Sequence, residues 1–414
     1  MAVKRRTVEE TLPAAAGGLP VRKKMPVQRV MTDESEIGNV TKVIKSGFMT
    51  ALTNPVVEEF EREFAKYIGT KYAVAVNSGT AALHVALAAL DVGPGDEVIV
   101  PPYTFIATAS AVLQQNAVPV FADIDPKTLN IDPKEIEKKI TGRTKAIIPV
   151  HLFGLPAEMR AVRKLAKKHG IAVIEDACQS HGAIYHGNKV GTFGDMACFS
   201  FQESKNMMTG EGGIVVTNNK KLADKCRVIK HIGMAAKYVY VALGYNYRMT
   251  AMAAAVGLAQ LRKLDGFNAH RRRMADYYRK NLADVPVGLI EEPEGLKSAN
   301  HIFPVVLPGR IAADREKTAE IYKALAAENV PIWWVYPMPI YNVEFFRERK
   351  AYTRGCPFEC PHREKPYVYK NNECPVAEDI SSRTLVLVTA PCYGLSVAAD
   401  TVKALKKVIR YYDK

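Results

Sequence analysis

The sequence predicts an α/β fold in which a mostly parallel sheet is covered by helices, followed by a smaller α+β domain at the C-terminal end. Short apolar runs typical of buried strands alternate with longer runs typical of helices over the first two thirds of the chain, the order found in parallel sheets. From about residue 299 the order changes to a few short strands and helices. At 414 residues and 48% hydrophobic content, the chain can bury one large core and a smaller one.

The elements follow from the hydrophobic periodicity of each segment. Two amphipathic helices are predicted at residues 34–45 and 56–67. The runs predicted as strands of the main sheet are residues 73–77, 97–100, 118–122, 145–150, 171–175, 196–201 and 213–217. A helical pattern covers residues 81–90, and two long helices are predicted at 249–264 and 267–282. In the last third, strands are predicted at 301–307 and 385–388 and helices at 314–328 and 398–411.

These elements divide the chain into an N-terminal arm at residues 1–25, a large domain at 26–265 and a small C-terminal domain at 266–414. The arm has little periodicity, which predicts a flexible or surface-laid segment. The small domain carries a long polar insertion at about residues 350–376. We expect the large domain to hold the functional residues, because the chemically distinctive segments described below lie before residue 250.

The insertion contains three cysteines and a histidine, namely Cys356, Cys360, Cys374 and His362. These side chains could form a zinc site. However, Cys-x3-Cys-x-His with a distant third cysteine and interposed prolines is not a common ligand spacing. We therefore predict a proline-stiffened loop with packed thiols and no bound metal.

The composition argues against several classes of protein. The net charge of +14 creates a positive field that attracts anionic substrates such as nucleotide-linked sugars. The basic clusters at residues 4–6, 22–24 and 271–273 are not interleaved with aromatic residues, so we interpret them as solvated faces and predict no nucleic-acid binding. No apolar run reaches the length of about 18 residues that a membrane span needs, and residues 1–20 lack the apolar core of a signal peptide. With seven scattered cysteines, these features predict a cytoplasmic protein with reduced thiols.

Lys205 is the first candidate catalytic residue. It follows the strand-like run 196–201 and precedes a glycine-rich turn, Gly210-Glu211-Gly212-Gly213, that leads into the next strand. A lysine at a strand end, beside glycines that let the backbone approach a ligand, can form a Schiff base with an aldehyde cofactor. The alternative on this segment alone is a solvated lysine in a hairpin loop.

Asp176 is the second candidate. It ends the apolar run 171–175, which is typical of a buried parallel strand, and ligands of open α/β sheets bind at the carboxyl ends of such strands. A carboxylate at this position can pair with a protonated pyridine nitrogen and make the ring an electron sink. The alternative is that Asp176 caps a following helix.

The third candidate site is Ser78-Gly79-Thr80, between a predicted strand and a predicted helix. Hydroxyl groups and glycine at a helix N-terminus form a phosphate cradle from free N–H groups and the helix dipole. Many folds use such a segment only as a cap. A phosphate site, a ring-nitrogen site and an aldehyde site at three strand ends together fit one molecule of pyridoxal 5'-phosphate.

At this point the chain resembles the sugar aminotransferases of the DegT/DnrJ/StrS family, within the fold type I enzymes that depend on pyridoxal phosphate. The matching segments occur in the family's order over about residues 25–275, which makes the resemblance specific. They are residues 46–50, 57–61, 77–83, 102–105, 175–182, 191–195, 199–213 and 244–250. The C-terminal third is similar but looser.

The resemblance implies a role for each matching residue. Lys205 corresponds to the Schiff-base lysine that also moves the proton, and Asp176 to the partner of the pyridine nitrogen. Gln179 and Phe105 correspond to residues that contact the cofactor ring, and Gly79, Thr80 and Ser200 to residues that contact its phosphate. Asn246 corresponds to a residue that reaches the phosphate bound in the neighbouring subunit. Arg248 corresponds to a cation that meets the donor's carboxylate.

The resemblance also implies an activity. We expect a transaminase that moves an amino group from Glu or Gln to a keto sugar or keto cyclitol, acting as a homodimer with shared active sites. Two alternatives remain open. One is an aromatising enzyme like aminohydroxybenzoate synthase, and the other is a non-catalytic regulatory protein on the same fold.

Overall fold

The computed structural model describes residues 12–414, and its centre is a seven-stranded sheet with the order β1-β9-β8-β5-β4-β2-β3. In chain order, the strands of the described residues are β1 (Tyr72–Val76), β2 (Glu97–Val100), β3 (Val118–Phe121), β4 (Thr144–Ile147), β5 (Ala172–Asp176), β6 (Ile184–Tyr185), β7 (Asn188–Lys189), β8 (Met196–Ser200), β9 (Gly213–Thr217), β10 (Met234–Ala236), β11 (Val239–Tyr240), β12 (Gly288–Leu289), β13 (Leu296–Lys297), β14 (Ile302–Val306), β15 (Ile332–Trp333) and β16 (Thr384–Val388). Only β9 runs antiparallel to its neighbours in the main sheet. The predicted α/β class with a mostly parallel sheet is confirmed.

Helices cover both faces of this sheet. In chain order they are α1 (Glu34–Ser46), α2 (Val56–Ile68), α3 (Gly79–Ala89), α4 (Ala107–Gln114), α5 (Pro133–Lys139), α6 (Met159–His169), α7 (Lys220–Lys230), α8 (Ala251–Leu282), α9 (Arg315–Ala326), α10 (Glu344–Arg347), α11 (Pro375–Arg383) and α12 (Leu395–Tyr412). Alternate residues of β1 enter opposite cores, because successive side chains of a strand point to opposite faces. Val74 lies in the core that contains Leu83 of α3, whereas Ala75 lies in the core that contains Phe64 of α2.

The helix α8 corrects one prediction, because the two helices expected at 249–264 and 267–282 form one continuous helix of 32 residues. Asp265 and Gly266, which lie between the two predicted ranges, are part of the helix. A single glycine inside a helix costs only about 1 kcal/mol, which the packing of both halves outweighs. Leu264 lies in a core of the large domain, whereas Met274 lies in the core of the small domain.

The small domain is built on a four-stranded sheet with the order β12-β14-β16-β15, in which every neighbouring pair is antiparallel. Helices α9 and α12 pack on this sheet together with the C-terminal half of α8. The N-terminal arm is attached to the same domain, since the carboxylate of Glu328 accepts hydrogen bonds from the backbone N–H groups of Ala14 and Val21 at 2.8 and 2.9 Å. Residues 1–11 of the predicted arm lie outside the described residues.

The insertion at 350–376 is not the polar loop that its composition predicted. Phe358 and Cys374 are fully buried in the core that faces α3, beside Phe121 of the edge strand β3. The Tyr369 hydroxyl donates to the backbone oxygen of Pro119 at 2.9 Å. The insertion therefore covers the β3 edge of the main sheet, which would otherwise present unpaired backbone groups.

No helix within residues 12–414 is long and apolar enough to cross a membrane.

Candidate active site

A cavity of about 690 Å³ lies at the edge of the main sheet where β1, β5 and β8 end. These three strands run in the same direction, so the segments that follow them meet at one edge. The predicted site residues that line this cavity are Gly79, Thr80, Phe105, Asp176, Gln179, Ser200 and Lys205. Residues of the small-domain sheet, including Ile302, Trp333 and Val388, form the opposite wall.

Asp176 is the last residue of β5 and is only 5% exposed. The Thr108 hydroxyl donates to Asp176 Oδ2 at 2.8 Å, and the Cys178 N–H donates to Oδ1 at 3.2 Å. The residues after Asp176 form turns rather than a helix, so the helix-cap alternative is wrong. A buried carboxylate with these two donors is fixed in orientation at the cavity wall and can accept from a cationic ligand group.

Lys205 lies in the connection between the antiparallel strands β8 and β9, and its side chain is half-buried. Burial lowers the pKa of Lys205 from its ordinary value of 10.5, while the Cys178 thiol and the Asp176 carboxylate oppose that shift. The loop is a hairpin connection, as the alternative interpretation held, but its lysine is not solvated. A lysine with a lowered pKa is more often present as the free amine, the form that attacks a carbonyl and accepts a proton.

The N-terminus of α3 is open toward the cavity, which Ser78, Gly79 and Thr80 line. The Ser78 hydroxyl accepts from the Ala81 N–H at 3.1 Å and caps the helix. A Cβ atom at position 79 would come within 2.6 Å of Ser200 Cβ and 3.1 Å of Cys178 Sγ. Glycine therefore lets the start of α3 pack directly against the end of β8. The part of the cavity in front of the free N–H groups of this helix start, lined by Gly79, Thr80 and Ser200, forms a recess that suits a phosphate group.

Gln179 is held on both sides of its amide. The Phe153 N–H donates to Gln179 Oε1 at 2.9 Å, and Gln179 Nε2 donates to the Tyr336 hydroxyl at 3.2 Å. Tyr336 has a φ of +50°, which is strained for a bulky residue. Burial raises the pKa of this tyrosine to about 12, so it stays a neutral phenol. The sequence analysis missed Tyr336, since nothing in its neighbourhood predicts a contact with a residue 157 positions away.

Phe105 is 54% exposed although it follows a buried segment. A phenylalanine that packed in the core would be buried, so core packing does not account for the position of Phe105. It lies at the mouth shared by the cavity at Lys205 and a neighbouring groove lined by Met338 and Arg347. An aromatic face at this position is free to stack on a planar ligand.

Asn246 and Arg248 are not brought to this cavity within one chain. Arg248 NH1 lies 2.9 Å from His231 Nδ1, and Arg248 lines a different cavity of about 570 Å³ together with Glu61 and Lys230. Asn246 forms a backbone bridge with His231 next to the β10–β11 hairpin. Their implied roles stay predictions that require residues from outside the chain.

Arg271 enters the cavity instead, contrary to the interpretation of residues 271–273 as a solvated cluster. It is 4% exposed, whereas Arg273 is exposed. The helical period would have revealed this difference, because Arg271 shares a face of α8 with the buried residues Met274, Ala275, Tyr278 and Leu282. His301 and Thr389 also line the cavity beside Arg271 and were missed.

His151 and Glu175 form a buried pair next to Asp176. The Ala157 N–H donates to His151 Nδ1 at 2.9 Å, so Nε2 carries the ring proton and lies 3.0 Å from Glu175 Oε2. The Glu175 carboxylate also accepts from the backbone N–H groups of Gly191, Phe193 and Gly194 at 2.7 to 2.8 Å. Burial would raise the pKa of Glu175, but the hydrogen bond from His151 and the backbone donors outweigh it and lower the pKa.

Within residues 12–414 there is no group of three or more His, Cys, Asp and Glu side chains that could hold a metal ion. All seven cysteines are free. In the insertion, Cys374 Sγ lies 3.8 Å from the backbone oxygen of Phe121, which is the contact of a packed thiol.

Comparison with known proteins relates this arrangement to one family. The sequence model of the DegT/DnrJ/EryC1/StrS aminotransferase family matches residues 30–365. The chain is 39% identical over 337 residues to a GDP-perosamine synthase of Escherichia coli O157:H7, covering 80% of this chain and 91% of that protein. It is 41% identical over 333 residues to a UDP-N-acetyl-3-dehydro-alpha-D-glucosamine 3-aminotransferase of Acidithiobacillus ferrooxidans, covering 80% and 82%. The solved structure of S. venezuelae DesV in complex with a ketimine intermediate matches with a TM-score of 0.81 and 34% identity, over 92% of this chain and 95% of that chain.

Proposed function

Because this chain belongs to the DegT/DnrJ/EryC1/StrS aminotransferase family, we propose that it uses pyridoxal 5'-phosphate to transfer an amino group from Glu or Gln to a keto sugar or keto cyclitol. The observation that carries the proposal is the meeting of Lys205, Asp176 and the open N-terminus of α3 at one cavity. When bound, this cofactor supplies an aldehyde that condenses with amines and a ring that accepts an electron pair.

We assign the holding of the cofactor to residues whose chemistry fits its parts. The recess at Gly79, with Thr80 and Ser200 beside it, would hold the phosphate through backbone N–H groups at the start of α3. The buried Asp176 carboxylate would accept from the ring nitrogen and keep it protonated. Phe105 would cover one face of the ring, and the Gln179 amide would lie near its phenolic oxygen.

Lys205 performs the proton transfer in this proposal. Its lowered pKa favours the free amine at Nζ, the form that can take a proton from the α-carbon of the amino donor. The same group then returns a proton to the carbon that receives the amino group. Burial between two domains excludes water from the reacting atoms, and this exclusion strengthens the interaction between Asp176 and a cationic ring nitrogen.

We further propose that the active unit is a cytoplasmic homodimer. The segment from Tyr238 to Leu243 next to Asn246 carries exposed apolar side chains, with Tyr238 76% and Leu243 80% exposed. An apolar patch of this kind favours an interaction surface. In the dimer, Asn246 would reach the phosphate held by the partner subunit. The seven free thiols fit a reducing compartment.

The acceptor is proposed to be a nucleotide-linked sugar, because the protein carries a net charge of +14 and both named relatives act on such compounds according to their names. The test is to incubate the purified protein with Glu or Gln and a panel of nucleotide-linked keto sugars and keto cyclitols, and to identify the products by mass spectrometry. An amino sugar or amino cyclitol supports the proposal. An aromatic product would instead identify an aromatising enzyme, and no product with any donor would favour a regulatory protein.

A second experiment tests the cofactor residue directly. Borohydride reduction fixes the cofactor to the amine with which it has condensed, and peptide mapping then locates the label. We expect the label on Lys205 and none on the Lys205→Ala variant. A label on any other lysine contradicts the assignment.

The dimer is tested by mixing two inactive variants. Lys205→Ala removes the catalytic amine from its own site, and Asn246→Ala removes the group proposed to act in the partner's site. A mixed dimer then contains one intact site, so part of the activity should return after subunit exchange. No recovery despite proven exchange would rule out sharing of the site through Asn246.

A further inference from the structure

Arg271 is a buried cation in the wall of the Lys205 cavity that has no assigned role. It lies on the stretch of α8 between the two domains and is 4% exposed. Its NH1 group donates to the backbone oxygen of His301 at 2.8 Å and to the Thr389 hydroxyl at 3.1 Å. Its Nε atom is buried without a hydrogen-bond partner among the described residues.

Within residues 12–414, no carboxylate forms a hydrogen bond or a salt bridge with Arg271. Burial lowers its pKa to about 10, and the one group that opposes this shift is the Cys392 thiol rather than a carboxylate. The neighbouring His181 and His301 cannot compensate the charge, because an imidazole is either neutral or positive. Burial lowers the pKa of His181 to about 3 and that of His301 well below 6.5, which favours their neutral forms. The carboxylates that line the same cavity are Asp176, which is bound to Thr108, and Glu211.

An isolated buried guanidinium is costly, and proteins normally pair such groups. The structural role of tying α8 to β14 needs only hydrogen-bond donors, which a neutral side chain could also provide. The retained positive charge, together with a donor left without a partner, therefore points to an anionic ligand. A planar guanidinium is suited above all to a carboxylate or a phosphate.

The position of Arg271 distinguishes between these two anions. An α-amino acid that reacts at the position of Lys205 Nζ has its carboxylate two bonds from the reacting nitrogen, so this carboxylate must lie inside the same cavity. The phosphates of a nucleotide-linked sugar lie at least a sugar ring away from the reacting carbon. The cofactor phosphate would be held in the recess at Gly79, on the large-domain side of the cavity.

We propose that Arg271 binds a carboxylate of the amino donor and that Thr389 is a positioning residue for its guanidinium. This inference rests on the proposed use of an amino-acid donor, and it gives Arg271 the contact that the family resemblance implied for Arg248. Arg248 lies outside the Lys205 cavity of its own chain, against His231. Donor selection thus resides in the segment of α8 that joins the two domains.

Glutarate tests this subsite without any chemistry, because it is a dicarboxylate with no amine or carbonyl to react. Its binding to the protein as purified is measured by isothermal titration calorimetry. Loss of one or two charge-assisted hydrogen bonds in Arg271→Met should weaken binding by about 10-fold to 100-fold. Arg271→Lys keeps the charge and should lose less, and guanosine diphosphate should bind all three proteins equally.

The matched control is Arg273→Met, which removes the same charge from an exposed position two residues away and should leave glutarate binding unchanged. Thr389→Val should weaken glutarate binding by several-fold, and Thr389→Ser, which keeps the hydroxyl, should restore it. A purely structural role of Thr389 predicts a lower urea midpoint with normal glutarate binding instead.

Several outcomes overturn the inference. The first is that the wild-type protein binds no glutarate. The second is that a folded Arg271→Met variant binds glutarate within about twofold of wild type. The third is that Arg271→Met loses guanosine diphosphate binding and keeps glutarate binding. If Arg271→Met fails to fold, Arg271→Lys decides, and normal glutarate binding by that variant overturns the inference. Amination that proceeds from Glu with unchanged KM in Arg271→Lys would refute the subsite while leaving the proposed function intact.

Discussion

The close packing of α3 against β8 at Gly79 can be tested by adding one methyl group. In Gly79→Ala the new Cβ would lie 2.6 Å from Ser200 Cβ and 3.1 Å from Cys178 Sγ, whereas carbon atoms in contact are normally 3.5 to 4.0 Å apart. Ser200 Cβ is bonded directly to the backbone of β8, a fully buried strand in the middle of the sheet. Cys178 Sγ can rotate away because it ends its side chain, but Ser200 Cβ cannot, so the backbone must move.

The expected loss of stability combines two opposing effects. Overpacking of this kind costs about 1–3 kcal/mol, and a rigid neighbour places the value in the upper half of that range. Alanine favours the helical state over glycine by at most about 1 kcal/mol. We therefore expect the free energy of unfolding to fall by about 1–3 kcal/mol. The same substitution at Gly38 in α1, where a Cβ meets nothing within 4 Å, should raise it by up to about 1 kcal/mol.

Urea unfolding of the two variants and of Gly79→Ala/Ser200→Gly measures this difference. The double variant removes the Cβ of Ser200, so it should recover most of the stability that the single variant loses. In parallel, Gly79→Ala should retain less pyridoxal phosphate through gel filtration, because the methyl group displaces the start of α3 and with it the N–H groups that would hold the phosphate. A Gly79→Ala protein as stable as Gly38→Ala, with full cofactor retention, would refute the argument that close packing at this glycine positions the start of α3 for the phosphate.

Three further changes test other parts of the site and its support. Asp176→Asn should keep the fold, since an amide can still accept from Thr108. Its steady-state turnover should nearly vanish, because a neutral amide cannot hold a ring nitrogen protonated. Near-normal turnover would contradict this role. The pKa of Glu175 is lowered in the folded state, so its stabilising contribution is present above about pH 4.5 and is lost as the pH falls further. The urea midpoint of the wild-type protein should therefore fall as the pH is lowered below about 4.5, and that of Glu175→Gln should fall less steeply. Arg363→Ala leaves the buried Glu97 without its partner at 2.8 Å and should cost about 3–5 kcal/mol, part of which Arg363→Ala/Glu97→Gln should recover in the same measurement.

Lys205, Asp176 and Gly79 could be brought together from the sequence because a general rule of topology applies to them. Each follows an apolar run, and the carboxyl ends of parallel strands meet at one edge of a sheet. The pairing of β5 with β8 places Asp176 opposite Cys198, a few residues before the Lys205 loop. Strand boundaries were predicted within a few residues, because a strand buried on both faces reads as a continuous apolar run.

The contacts that orient these residues could not be predicted in the same way. Thr108 reaches Asp176 from α4, and Tyr336 reaches Gln179 from the loop after β15. Both contacts depend on how loops and domains pack, and no local pattern encodes that packing. The insertion was interpreted as polar because charged residues and prolines dominate its composition, whereas its few aromatic side chains determine where it packs.

The prediction that Arg271 is solvated was wrong because neighbouring residues of a helix face different directions. Three consecutive arginines resemble a solvated cluster, yet a helix turns by about 100° per residue, so adjacent residues cannot share an environment. Only Arg271 falls on the face that passes from the core of the large domain to that of the small domain. Because α8 is one uninterrupted helix, its position relative to the Lys205 cavity is fixed by packing at both ends. A binding group placed there stays aligned with the lysine that would act on the donor.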